Sequence, residues 1–114
     1  MDLAEKYPLL RGAMEPNLDE LYSLAMQKAK QAAALLKDRY FASHVVLFGA
    51  LTQREMFSHS SDIDLAVAGM PDELFYAAVG SVMDVVSPFE LDMVDSSDCR
   101  ESACKSIMRD GVEL

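Results

Sequence analysis

The sequence predicts an α+β fold in which a small mixed β-sheet is covered by helices. After Asn17, apolar residues recur every three or four positions, as on the buried face of an amphipathic helix. Two short apolar segments, 44–48 and 62–68, each end at a glycine, which is typical of buried strands. Helices and strands then alternate to the end of the chain, and this order favours a sheet with helices on at least one face.

The first predicted helix has a clear beginning and one apolar face. Asn17 is a good N-cap, and Glu20 stands at the third helical position, as in a capping box. The helix is predicted to continue to about Tyr40 because its apolar residues form one stripe. That stripe consists of Leu18, Leu21, Ala25, Ala29, Ala32 and Leu36.

The remaining elements follow from apolar segments and from the residues that interrupt them. Glycines end the first two strands, proline opens the second helix, and Ser96 or Ser97 can cap the last one. The predicted elements are a strand at 44–48, a polar loop at 52–60, a strand at 62–68, a helix from Pro71 to about Met83, a strand at 89–94 and a helix to about Arg109.

Length and charge exclude several classes of protein. The 114 residues, 51% of them hydrophobic, suffice for one domain at 17–114, preceded by an N-terminal arm at 1–16. A formal net charge of −9 argues against binding to duplex DNA, because neutralising phosphates requires clustered Lys and Arg. The sequence contains no run of about 18 apolar residues, so it predicts no membrane span. Homo-oligomerisation stays open at this stage.

The N-terminus and the cysteines indicate a cytoplasmic protein. Residues 1–6 lack the basic and apolar regions of a secretion signal. Cys99 and Cys104 are five positions apart on a predicted helix, so they would not face each other. We therefore expect two free thiols.

Acidic residues stand inside two of the predicted strands. Asp62 and Asp64 occupy alternate positions and therefore share one face of their strand. Asp92 lies between Leu91 and Met93 in the third strand, so three carboxylates can converge if the two strands are neighbours. Paired carboxylates repel each other unless a cation or a proton lies between them, and Mg²⁺ prefers such oxygen ligands. The pattern predicts a magnesium site.

Each of these residues also has a simpler interpretation. Asp62 and Asp64 could be solvated acids at the end of an edge strand, but the apolar segment continues on both sides of them. Asp92 taken alone could equally be an exposed edge residue. Arg54 taken alone is a surface arginine in a polar loop, and His59 is a solvent-facing loop histidine, since Mg²⁺ does not favour imidazole.

Together these residues resemble the minimal nucleotidyltransferases of the DNA polymerase beta-like superfamily. The resemblance rests on Gly49-Ala50, on the loop with Arg54, on 61–65 (Ser-Asp-Ile-Asp-Leu) and on 91–94 (Leu-Asp-Met-Val). It covers the chain from the helix at Asn17 to the C-terminus. The polymerase beta-like nucleotidyltransferase fold is therefore expected.

The resemblance also implies an activity and a site. It implies transfer of a nucleoside monophosphate, usually AMP from ATP with Mg²⁺, to a hydroxyl group. By residue, Asp62, Asp64 and Asp92 match the metal-binding and catalytic carboxylates. The residues that match nucleotide-binding positions are Gly49, Ala50, Arg54 and Ser61. Small members of the family act as antitoxins beside a helical HEPN-type toxin, and some adenylylate it.

Two departures from the family pattern leave other hypotheses open. Ala50 stands where the family usually has serine, and the loop before Asp62 is about one residue longer than usual. Losing one hydrogen bond to a charged group costs about 1.5–3 kcal/mol, which slows a reaction without abolishing it. The alternatives are a catalytically weak or inactive nucleotide-binding regulator that neutralises its partner by binding, and a simple sensor of Mg²⁺ or nucleotide.

Overall fold

The computed structural model describes residues 17–114 as a four-stranded mixed sheet with three α-helices. The predicted arm at 1–16 lies outside the described residues and stays a prediction. In chain order the elements are α1 (Leu18–Arg39), β1 (His44–Phe48), β2 (Ile63–Ala68), α2 (Phe75–Val86), β3 (Leu91–Asp95), α3 (Glu101–Asp110) and β4 (Val112–Glu113). The predicted fold class is confirmed.

The sheet has the strand order β3-β2-β1-β4. β2 pairs with β1 in antiparallel orientation and with β3 in parallel orientation, so β2 lies between the two strands that flank the predicted site. β4 pairs antiparallel with the other edge of β1. We did not predict β4, because two residues are too few to give a periodic pattern.

Helix α1 begins and packs as the sequence predicts. The side chain of Asn17 accepts the backbone N–H of Asp19 at 2.8 Å and that of Glu20 at 3.4 Å, which caps the helix. The buried residues of α1 are Leu21, Ala25, Ala29, Ala32, Ala33 and Leu36. This stripe packs against α2 and against one face of the sheet. The small alanines permit that close approach.

The two faces of the sheet have different surroundings. Ile63, Leu65 and Val67 alternate along β2 and belong to the buried core beneath α1 and α2. Asp64 and Ala66 therefore point to the opposite face. On that face α3 packs against β1: a Cβ atom added to Gly111, at the end of α3, would lie 2.8 Å from Cγ1 of Val46, the register partner of Ala66. Asp64 and its register partner Asp92 thus lie away from the main core, on the side covered by α3.

Several predicted boundaries were wrong by a few residues. β2 begins at Ile63, so Asp62 lies just before the strand, and β3 begins at Leu91. A 3₁₀ turn, Asp72–Leu74, precedes α2, and α3 begins at Glu101. In the predicted loop at 52–60, the chain forms a 3₁₀ turn at Arg54–Met56, after a first one at Gly49–Thr52. None of the helices between residues 17 and 114 has the length and apolarity that crossing a bilayer requires.

The expectation of two free thiols was wrong. Cys99 and Cys104 form a disulfide, with their Cα atoms 5.8 Å apart. The helical-spacing reasoning failed because Cys99 has an extended backbone and precedes α3, while Cys104 lies inside it. The bond ties the start of α3 to the segment that leaves β3.

Reduction of this disulfide should lower the free energy of unfolding by about 2 kcal/mol, because a short loop loses its cross-link in the unfolded chain. Urea unfolding with and without dithiothreitol measures the effect. The double variant Cys99→Ser/Cys104→Ser is the control and should show the same stability with and without reductant. Equal stabilities of the oxidised and reduced protein would contradict the expectation.

Candidate functional site

Asp64 and Asp92 are direct neighbours in the sheet. They are register partners on the parallel strands β2 and β3, so their side chains point to the same face. On the other side, Asp64 pairs with Phe48, the last residue of β1. Two carboxylates therefore stand side by side at the point where the chain leaves β1 and enters β2 and β3.

Asp64 has an unusual protonation equilibrium. Burial, the charge of Asp92 and the charge of Asp62, in that order of importance, raise the pKa of Asp64 from 3.8 to about 7. All three causes oppose ionisation. The strand places a carboxyl group where its negative charge is costly unless a positive ion compensates it.

Gly49 makes close contact with this carboxylate. Its φ of +76° is a left-handed conformation that favours glycine, and a Cβ atom at this position would lie 2.0 Å from Oδ2 of Asp64. The backbone at the end of β1 therefore approaches the carboxylate as closely as only glycine permits. This contact explains the glycine that precedes the acidic strand in the sequence.

The donor set of the three acids fits a hard divalent cation. Carboxylate oxygens are the ligands that Mg²⁺ prefers, and the burial and neighbouring acids that raise the pKa of Asp64 make its ionised form costly without a cation. In the part of the chain that the structure describes, no three side chains already converge as a ready-made metal cluster. The predicted metal centre of Asp62, Asp64 and Asp92 therefore stays a prediction.

A cavity lies beside Asp62. It has a volume of about 310 Å³ and is partly open to solvent. Its lining comprises His59, Ser60, Ser61, Asp62, Pro88, Phe89 and Glu90. It provides room for part of a substrate next to Asp62, whereas Asp64 and Asp92 do not line it.

The four predicted nucleotide-binding residues do not all lie together. Gly49 and Ala50 begin the 3₁₀ turn Gly49–Thr52 next to Asp64. Ser61 closes its own turn, since its hydroxyl accepts the backbone N–H of Ser58 at 2.8 Å. Their contact with a nucleotide stays a prediction.

Arg54 contacts α1 in this structure. Its Nε donates to Oδ1 of Asp19 at 3.1 Å, its Nη2 donates to the same oxygen, and its guanidinium lies 5.3 Å from the ring centroid of Tyr22. The Tyr22 hydroxyl in turn donates to the carbonyl of Leu51 at 3.1 Å. Arg54 therefore connects α1 to the loop, and a role in phosphate binding would require it to leave Asp19.

Sequence reasoning missed the contribution of α3 to this region. Ser106 and Arg109 line a depression together with Gly49 and Ala50. The two residues are three apart on a helix, so they share a face, but nothing in the sequence shows which element that face meets.

Comparison with solved structures identifies the class of fold. The chain has the α+β fold found in solved structures of toxin–antitoxin proteins, so the predicted fold class is confirmed. No protein-family model and no curated protein sequence matches the chain.

Three of the similar structures are toxin–antitoxin complexes. One is a toxin–antitoxin with AMP-PNP, which matches with a TM-score of 0.58 and 19% identity over 76% of this chain and 69% of that chain. A mutant of the toxin–antitoxin MntA-HpeT matches with a TM-score of 0.54 and 18% identity, covering 88% of this chain and 72% of its own. A second MntA-HpeT mutant matches with a TM-score of 0.55 and 16% identity, covering 86% of this chain and 72% of its own.

Proposed function

We propose that the protein is a minimal nucleotidyltransferase that moves AMP from ATP·Mg²⁺ to a hydroxyl group of a partner protein. We further propose that it acts as the antitoxin of a pair whose toxin is a helical HEPN-type protein. The observation that carries the proposal is the pairing of Asp64 with Asp92 beside Gly49. This arrangement concentrates negative charge at one place. A polyanionic substrate could bind there only if a cation lay between it and the carboxylates.

The residues of the chain divide the proposed chemistry between them. Asp62, Asp64 and Asp92 would hold the cation, and Asp92 would also accept the proton of the attacking hydroxyl. Bound Mg²⁺ would supply charge neutralisation for the triphosphate. Gly49 would let the phosphate oxygens approach the backbone, as small residues permit. Such catalysis consists mainly of positioning and electrostatic stabilisation, which a site of this size can provide.

The similar structures support the proposal. One of the toxin–antitoxin structures contains AMP-PNP. Another carries glutamate in place of two aspartates that are two positions apart, the spacing of Asp62 and Asp64. These facts concern the other proteins, and they favour an ATP-dependent site in this one.

Label transfer tests the proposed activity directly. The protein is incubated with ATP labelled at the α-phosphate, Mg²⁺ and a small helical HEPN-type protein as the proposed acceptor. We expect label on that protein and release of pyrophosphate. Asp64→Asn should reduce transfer at least about a hundredfold, because it removes a charge that the transition state needs. Undiminished transfer by Asp64→Asn would overturn the assignment of this site.

A binding-only antitoxin is the second candidate function. It is favoured by Ala50, which lacks a hydroxyl, and by the contacts that hold Arg54 on Asp19. The same substitution separates the two functions in cells that express the toxin. An enzyme with Asp64→Asn should lose protection, whereas a protein that acts only by occupying the toxin should keep it. Asp84→Asn, an exposed acid on α2, is the matched control and should protect in both cases.

Restoring the missing hydroxyl should strengthen nucleotide binding. We expect Ala50→Ser to increase the affinity for ATP·Mg²⁺ about five- to tenfold, because a hydroxyl at this turn can donate to a phosphate oxygen. Isothermal titration calorimetry measures the change. Ala34→Ser, the same substitution at an exposed position of α1, should leave the affinity unchanged. An unchanged affinity for Ala50→Ser would show that a hydroxyl at this position makes no additional contact with the phosphates.

A further inference from the structure

A depression lies between the 3₁₀ turn after β1 and the exposed helix α3. It has a volume of about 160 Å³ and shares Gly49 with the Asp64 site. The lining residues are Gly49, Ala50, Gln53, Met56, Ser106, Arg109 and Asp110. Because α3 covers the face of the sheet to which Asp64 points, the depression continues the site described above.

The turn itself supplies no positive charge to this depression. Gly49–Thr52 contains no basic residue, and its Leu51 is buried. Arg54, in the next turn, contacts Asp19 and Tyr22 on α1. Among the lining residues, Arg109 is the one permanent cation, so it is the group there that can attract an anion.

Arg109 is held by a short chain of polar contacts. Its Nε donates to Oδ2 of Asp110 at 2.8 Å, and Oδ1 of Asp110 accepts from Nε2 of Gln53 at 3.1 Å. The side chain of Asp110 is only 16% exposed, whereas that of Arg109 is 72% exposed. Asp110 therefore holds the guanidinium of Arg109 through its Nε edge. A guanidinium is a planar fork of several N–H donors, so its Nη edge can still meet an oxyanion.

Ser106 adds a hydroxyl on the same face of α3. It lies one turn before Arg109, is half-buried, and lines the depression beside Ala50. A hydroxyl here can donate to an oxyanion bound between α3 and the turn that follows β1. Helix α3 thus places one cation and one hydroxyl beside the turn Gly49–Thr52. That turn has no basic side chain, and at position 50 it has alanine where the resembled family usually has serine.

We propose that Arg109 and Ser106 bind the terminal phosphates of a nucleoside triphosphate whose inner phosphates approach Gly49. Arg109 provides the positive charge, and Ser106 provides the hydrogen bond that Ala50 cannot make. This inference rests on the proposed function and names the side chains that hold its substrate. It makes α3 part of the site, which is otherwise built from the ends of β1, β2 and β3.

Binding measurements on charge-matched variants test the inference. Affinities for ATP and for tripolyphosphate, each with Mg²⁺, are measured by calorimetry for the unchanged protein, Arg109→Gln and Lys105→Gln. Lys105 is also an exposed cation on α3, but it pairs with Glu101 at 3.2 Å. We expect Arg109→Gln to weaken both ligands at least about tenfold and Lys105→Gln to change them less than about twofold. Circular dichroism melts verify that both variants fold.

The outcomes separate the inference from the function on which it rests. If the unchanged protein binds ATP·Mg²⁺ and Arg109→Gln binds it as tightly as Lys105→Gln, the role of Arg109 is refuted and the proposed function stands. If the unchanged protein binds neither ligand, the proposed function fails and the inference fails with it. An affinity for adenosine that Arg109→Gln leaves unaltered would further support a contact with phosphate.

A double variant tests Ser106. Ser106→Ala should weaken ATP·Mg²⁺ binding severalfold, and the loss should disappear in the Ala50→Ser background, where a second hydroxyl is present. Equal losses in both backgrounds would refute the view that Ser106 replaces the missing hydroxyl of position 50.

Discussion

Replacing Gly49 with alanine should abolish ATP·Mg²⁺ binding and lower the free energy of unfolding by about 2–4 kcal/mol. The backbone at this position has φ of +76°, where a β-carbon is unfavourable. The added methyl group would also lie 2.0 Å from Oδ2 of Asp64, so that carboxylate would have to move. The substitution thus disturbs the predicted cation ligand and the phosphate-approach turn together. Urea unfolding and calorimetric titration measure the two effects.

Two other glycines provide matched controls. Gly69 also has a positive φ, +78°, and its added Cβ would lie 1.9 Å from Oγ of Ser43. Gly69→Ala should therefore destabilise the fold to a similar extent while leaving nucleotide binding intact in the folded protein. Gly80 lies on α2 with nothing within 4 Å of an added Cβ, and Gly80→Ala should raise stability by about 0.5–1 kcal/mol.

The comparison of Gly49→Ala with Gly69→Ala decides between a local and a global effect. We expect only Gly49→Ala to lose ligand binding at temperatures where both variants are folded. If both lost binding equally, the close approach of Gly49 to Asp64 would have no special part in the site.

The second large effect concerns the pH dependence of stability in the absence of divalent ions. Because the pKa of Asp64 is raised to about 7 in the folded protein, the folded state binds a proton more tightly than the unfolded state. This contribution is fully present below the unfolded pKa near 4 and is lost as pH rises through about 7. Since Asp64 is partly solvated, we discount the shift and expect a loss of about 2 kcal/mol between pH 4 and pH 8.

Asp64→Asn should remove most of this pH dependence. The variant lacks the ionising group, so at pH 8 it should be more stable than the unchanged protein by about the same 2 kcal/mol. Urea unfolding from pH 4 to pH 8 with EDTA present measures both curves, and Asp84→Asn should reproduce the curve of the unchanged protein. If Asp64→Asn were less stable than the unchanged protein at pH 8, the negative charge of Asp64 would have to be compensated by other groups within the fold.

Much of the fold could be predicted because the helix and strand patterns are strong. The bounds of β1 were predicted correctly, and the cap and stripe of α1 follow from Asn17 and the spacing of its apolar residues. The start of α3 was predicted too early because Ser96 and Ser97 form a 3₁₀ turn, in which Asp95 accepts the N–H of Ser97 at 2.9 Å. That turn also moved Cys99 off the helix and into reach of Cys104.

Only part of the candidate site could be predicted. Alternation along a strand placed Asp64 on one face, and the neighbouring strand places Asp92 beside it, as expected. The partners of long side chains depend on tertiary contacts between distant segments. The contact of Arg54 with α1 and the position of Arg109 beside Ala50 are of this kind, and neither leaves a local pattern in the sequence.

Thermal unfolding with Mg²⁺ and ATP, added separately and together, tests the cation site of Asp64 and its neighbours most directly. We expect the two ligands together to raise the melting temperature by more than the sum of their separate effects, because a ligand that binds only the native state stabilises it. The same additions should leave the melting temperature of Asp64→Asn nearly unchanged. Additive or absent shifts in the unchanged protein, or equal shifts in Asp64→Asn, would contradict a shared site for cation and nucleotide at these acids.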